Sequence, residues 1–209
     1  MKAAQLKGGS FVQPEAGTQT VTVVKVIDLG TQPADVIKGG QYAGKPIAAG
    51  PKVLFALEVV DSPQEDGSAT ILYKETTMAL GAKSNLAALS KSFLQLSDEQ
   101  FAALVTQNGG FVPDQLLGKS ALSSITHSPK DDQGHYRARV GTFQSLLKGQ
   151  VPTTAKTKLA FYDVENPDAE IYNSLPDFIK AKIDQSLESP QAGSLKDSSV
   201  SVSSGSLDL

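Results

Sequence analysis

Gly17-Thr-Gln-Thr-Val-Thr-Val-Val-Lys-Val-Ile-Asp-Leu-Gly30 reads as one long strand. Val21, Val23 and Ile27 fall on one face and Thr22, Val24 and Val26 on the other, so the strand is expected to be covered on both sides. Working outward, Lys52 to Val60 alternates, with Val53, Phe55, Leu57 and Val59 on one side. Ala69 to Leu80 sets Ile71, Tyr73, Glu75 and Thr77 against Leu72, Lys74, Thr76, Met78 and Leu80. A helical stretch, Ser84 to Val105, follows, and Gln115 to His127 and His135 to Leu147 are two further strands. The order β-β-β-α-β-β predicts a mainly β chain with inserted helices (α+β). It is the order of a five-stranded Greek-key barrel of the OB type, with a helix pair between the third and fourth strands.

The helix pair carries its own start signals. Ser84 can cap the first helix, whose Leu86, Leu89, Phe93 and Leu94 recur at helical spacing. Ser97-Asp-Glu-Gln100 is a capping box, followed by Phe101, Leu104 and Val105 and stopped by Asn108-Gly-Gly110. Residues 1–16 are small and polar and are expected to form a flexible arm, with the barrel spanning 17–150. Thr31 to Pro51 is too long for a simple turn and in an OB barrel would line the ligand groove. Residues 151–187 read as a linker and a C-terminal helix with the stripe Leu175, Phe178, Ile179 and Ile183, packed on the barrel. From Glu188 to Leu209 the chain is rich in Ser and Gly, and the expectation is a disordered tail.

Composition narrows the function classes. Hydrophobic residues at 40% and charged residues at 20% are those of an ordinary globular protein, and no apolar run is long enough to span a membrane. The first ten residues lack the apolar core of a secretory signal, so the expected location is a reducing cytoplasm. With no cysteine, disulfides and thiolate metal sites are excluded, and two histidines leave little for zinc. Gly39 to Pro46 has neither the spacing nor the Ser/Thr of a phosphate-binding loop. No catalytic constellation stands out, so neither an enzyme nor a cofactor is expected. An aromatic content of 6% without Trp argues against sugar binding.

Charge is uneven. Residues 1–159 hold 16 Lys and Arg against 13 Asp and Glu, and residues 160–209 hold 3 against 9, so +3 and −6 make up the net −3. A mildly basic body with an acidic extension suits a nucleic-acid binder. Single-strand binding needs cations for phosphate and aromatic faces for bases. The candidate cations are Lys25, Lys45, Lys52, Lys74, Lys119, Arg137, Arg139 and Lys148. Tyr73 and Phe143 are the main candidates for stacking, with Tyr42 and Tyr136 beside them; Phe55, Phe93 and Phe101 read as core. On the last strand Tyr136, Ala138 and Val140 alternate with His135, Arg137 and Arg139, which places two guanidinium groups on one non-core face.

Four segments carry a family resemblance: Val26-Ile-Asp-Leu-Gly-Thr-Gln32, Lys83-Ser-Asn-Leu86, Leu116-Leu-Gly-Lys119-Ser120, and Phe161-Tyr-Asp with Leu175-Pro-Asp-Phe-Ile179. Over Thr18 to Ile183 the chain resembles small bacteriophage early-region proteins, usually called uncharacterised or single-stranded DNA-binding. The resemblance implies an OB-type, sequence-tolerant binder of single-stranded DNA from a phage replication or recombination module, in the cytoplasm of the infected host. It implies a phage recombinase, polymerase or helicase as partner and leaves assembly open, a homodimer included. The Ser-rich end, closing Ser206-Leu-Asp-Leu209, departs from the strongly acidic tails through which many such proteins recruit partners. The competing expectation is a protein-interaction adaptor or enzyme inhibitor on the same barrel, and a phage structural protein comes third.

Overall fold

The structure, a computed structural model, describes residues 12–189 apart from Gly40, Asp61 and Ala82. The arm expected over residues 1–16 and the tail expected over 188–209 therefore lie outside the described residues as far as Phe11 and from Pro190 on. The fold is mainly β, a strongly curled antiparallel sheet with a few helices. Its long strands are β1 (Gly17–Gln32), β4 (Gly50–Val59), β5 (Thr70–Thr77), β6 (Ser120–His127) and β7 (Ala138–Gln144). Two short strands, β2 (Asp35–Val36) and β3 (Pro46–Ile47), pair with each other, and β8 (Ala160–Tyr162) pairs with β1. The order across the main sheet is β5-β4-β1-β6-β7.

The chain packs as two compact units whose boundaries cut through β1, β4 and β5. The first comprises residues up to Val26, Phe55–Lys74 and Ala79–Ala160. In it β1 pairs with β6 in the register Gly17↔Ile125 to Thr22↔Ser120, and β6 pairs with β7. Helix α1 (Asn85–Leu94) lies on β6 and β7, and α2 (Asp98–Gln107) follows it. Both caps form as the sequence requires: the Ser84 hydroxyl accepts from Ala87 N, and Ser97 and Gln100 bond each other's backbone amides. Val21, Val23, Phe55, Leu57, Phe93, Phe101 and Ile125 are buried in this unit's core.

The segment expected as a linker is seated in the first unit. The Glu58 carboxylate, on a buried residue of β4, accepts from Lys156 N and Thr157 N, both at 2.9 Å. Thr22 and Ser120 share a hydrogen bond of 2.8 Å and both reach the Thr153 carbonyl, at 3.5 and 3.4 Å. Thr22, Glu58 and Ser120, buried on β1, β4 and β6, thus find partners in a strap over residues 153–157.

The second unit comprises Ile27–Leu54, Glu75–Met78 and the chain from Phe161. Helix α3 spans Ala169–Asn173 and α4 Asp177–Asp184. Leu175, Ile179 and Ile183 are buried as the stripe requires, but Phe178 is half exposed. The first strand runs two residues past its expected end at Gly30, which takes a left-handed φ of 63°. A β-carbon there would stand 2.9 Å from Ser186 Cβ and 2.6 Å from Glu188 Oε2, so both the φ and the space favour glycine. Thr31 N donates to Glu188 at 2.7 Å and Leu187 N to the Thr31 carbonyl at 3.1 Å. Of the residues assigned by sequence to the tail, Ser189 is buried and the exposed Glu188 has its carboxylate held by a backbone amide that a composition argument cannot see.

Candidate nucleic-acid interface

The turn between β6 and β7 is built by its own side chains. Asp131 Oδ1 accepts from Gln133 N at 3.0 Å and His135 N at 2.8 Å, and Asp131 N donates to the His135 carbonyl at 2.8 Å. Ser128 closes the base: its N–H donates to the Arg137 carbonyl at 2.9 Å and its Oγ accepts from Arg137 N at 3.0 Å. The strand consequently starts at Ala138, not His135, and Arg137 belongs to the turn. Tyr136 stacks on His127 with ring centres 4.2 Å apart.

Val12 and Gln13, expected in the arm, line a cleft together with this turn. Val12 exchanges two hydrogen bonds with the Gln64 side chain, at 2.8 and 3.0 Å. Gln13 Oε1 accepts from Ala138 N at 2.8 Å, and the Pro14 carbonyl lies 2.8 Å from His127 Nε2. Polar backbone that would otherwise be solvated finds fixed partners, which is why this short stretch is ordered despite its composition. The cleft is open, measures about 880 Å³ and is lined by Val12, Gln13, Asp131, Tyr136, Arg137 and Arg139 among others.

Both arginines are exposed in this cleft, and among the described residues neither has an acidic partner within salt-bridge distance. Asp131 is the counterweight. The His135 amide holds its carboxyl below the ordinary range, assisted by the Gln133 amide and by the charges of His135 and Arg137. The cleft therefore combines two guanidinium groups, one fixed carboxylate and a tyrosine–histidine pair.

The other sequence candidates are scattered. Lys45 lies over the Tyr42 ring at 4.6 Å on the β2–β3 hairpin, whose Val36 and Ile47 are also exposed. That hairpin orders part of the Thr31–Pro51 connection through Ile37 N to the Lys45 carbonyl at 2.9 Å and Gly44 N to the Ile37 carbonyl at 2.7 Å. Lys119 and Lys148 are exposed in turns, and Lys25 is half-buried on β1. Tyr73 is half-buried on β5, where burial pushes its hydroxyl pKa up.

Three candidates have partners inside the fold. Lys52 donates to Glu75 at 2.9 Å, and Lys182 bonds the other oxygen of that carboxylate. Burial alone would raise the Glu75 pKa, but the hydrogen bonds from Lys182 and Lys52 outweigh it and hold the carboxyl low. Lys74 Nζ donates to the Val140 carbonyl at 3.4 Å, joining β5 to β7, the two ends of the strand order. Phe143 packs on Phe93 with ring centres 5.3 Å apart rather than standing beside the arginines. The alternation is broken by a bulge: the pairing steps from Ser123↔Phe143 to Ile125↔Val140, so Gly141 and Thr142 span what Ser124 spans alone. Every side chain beyond it changes face.

Among the described residues no group of His, Asp and Glu is placed to hold a metal ion, and no helix is long and apolar enough to cross a membrane. No family model matches the chain, and no curated protein matches it significantly.

Proposed function

We propose that the protein binds single-stranded nucleic acid on an OB-type barrel, with the Arg137–Arg139 cleft as a principal contact. The observation that carries this reading is the open cleft with two guanidinium groups free of acidic partners among the described residues. A guanidinium group can pair with phosphate and lie flat on a base, and Tyr136 adds an aromatic surface beside it. The strand order β5-β4-β1-β6-β7 is compatible with an OB-type barrel, and the Lys74–Val140 bond, which links its two end strands, supports that reading. Pairing of guanidinium with phosphate and stacking on a base face carry no base identity, which favours sequence-tolerant binding. The phage resemblance supplies the setting, DNA replication or recombination.

A second reading, a protein-interaction adaptor on the same barrel, is favoured by Lys52 and Lys74. Both are tied up internally, which leaves β4 and β5 without the run of available cations a groove binder would use. Fluorescence anisotropy with labelled oligo-dT and a matched duplex separates the two. Salt-sensitive binding of oligo-dT in preference to duplex supports the first, and absence of binding to either supports the second.

A further inference from the structure

We propose that the cavity of the second unit bounded by Tyr162, Val164, Tyr172, Asn173, Ile183 and Asp184 is a docking site for a basic peptide segment, which inserts one arginine or lysine side chain. The cavity measures about 310 Å³, room for one side chain and at the small end of ligand pockets. Val164 and Ile183 offer apolar walls to an alkyl stem, while Tyr162 and Tyr172, with ring centres 6.0 Å apart and planes inclined at 41°, offer π surfaces to its charged head. Tyr172 Oη donates to Asp184 Oδ1 at 2.7 Å, which fixes ring and carboxylate together. The same bond pushes the Tyr172 pKa up to about 12, so the hydroxyl stays a donor at neutral pH.

Charge selects the ligand. Asp28 belongs to this unit and its carboxyl pKa is raised, first by burial and then by the charges of Asp163, Glu188 and Glu165. The Tyr162 hydroxyl is likewise pushed up, by burial and by Asp184, Asp163 and Asp28. Asp184 is the carboxylate on the cavity wall, Asp28 and Asp163 lie near enough to act on the Tyr162 hydroxyl, and Lys52 and Lys182 of the same unit are committed to Glu75. Lys180, 5.9 Å from the Tyr172 ring centre, has its charge offset by Asp177 at 3.8 Å. An anionic ligand is repelled here and a cation with an apolar stem is favoured, which separates this site from any that contacts phosphate.

The test is a titration of the isotope-labelled full chain, followed by amide chemical shifts at about 0.15 M salt, with blocked Gly-Arg-Gly and its uncharged isostere Gly-citrulline-Gly. The expected result is a saturable shift at Val164, Asn173 and Asp184 with the arginine peptide, about tenfold weaker for the citrulline peptide and for Asp184→Asn. Equal responses to the two peptides would overturn the proposal, as would shifts spread over the acidic residues without saturation. A folded Asp184→Asn protein that binds like wild type would do the same, and the peptide comparison stands even if that variant does not fold.

Discussion

Gly141 faces Ser124 across the bulge in β7: a β-carbon at 141 would stand 2.3 Å from Ser124 Oγ and 3.0 Å from the Ser124 carbonyl oxygen. The hydroxyl that would have to move accepts from Thr142 N at 3.0 Å, so it cannot turn away without losing that bond. Gly141→Ala is expected to destabilise the fold by about 1–3 kcal/mol, the usual penalty of forced overpacking. Urea unfolding would measure it, with the midpoint falling at unchanged slope.

Phe93 and Phe143 join α1 to β7 in the first unit. Phe93→Ala removes a fully buried ring and is expected to cost about 3–5 kcal/mol. Thermal melting followed by circular dichroism checks the loss, and a melting temperature within a degree or two of wild type would contradict this account of the core.

Arg137 and Arg139 can be removed without touching that core, because both are exposed. The double change to alanine is expected to weaken oligo-dT binding by about tenfold or more, roughly 1.4 kcal/mol, with melting unchanged. Anisotropy titration of a folded double variant that binds like wild type would take the cleft out of the interface.

If the cations neutralise phosphates, counterions are released on binding, and affinity should fall linearly on a log–log plot against salt, with a slope of about −0.7 per phosphate contact on a single strand. The double-arginine variant should show a shallower slope, by about one to two contacts.

Glu58 gives a pH dependence whose sign follows from its surroundings. Burial pulls its pKa upward, but the amides of Lys156 and Thr157 outweigh that and leave the folded-state pKa below the ordinary glutamate value. Its stabilising contribution is therefore present above that ordinary value and lost as pH falls through the depressed one. Glu58→Gln offers one acceptor where two are used, and should cost about 1–3 kcal/mol at neutral pH. Denaturant titrations across the acid range should show a flatter acid limb for this variant.

The sequence carried the fold further than the site. Strand alternation in Lys52 to Val60 and the capping box at Ser97 are local signals, and both elements formed where those signals placed them. The partners that decide a side chain's availability are distant in the chain: Glu75 for Lys52, the Val140 carbonyl for Lys74, Gln13 for the amide of Ala138. Alternation also assumes an unbroken count of two, and one glycine bulge was enough to move Phe143 from the arginine face to α1. Glu58 gave no warning, because a carboxylate on a strand reads as solvated until the amides that hold it are seen.

The strap also sets an order of events. Thr153 is 131 residues from Thr22, and Lys156 is 98 from Glu58. Each of these contacts closes a loop of domain length, and loop closure must be met before the contact returns anything. The hydroxyl pair and the carboxylate that receive the strap come from β1, β4 and β6, so no landing site exists until those strands have come together. The strap is therefore expected to lock after the sheet has formed and to release before it. Resistance of residues 150–158 to a protease should therefore track the completed fold rather than the formation of the sheet.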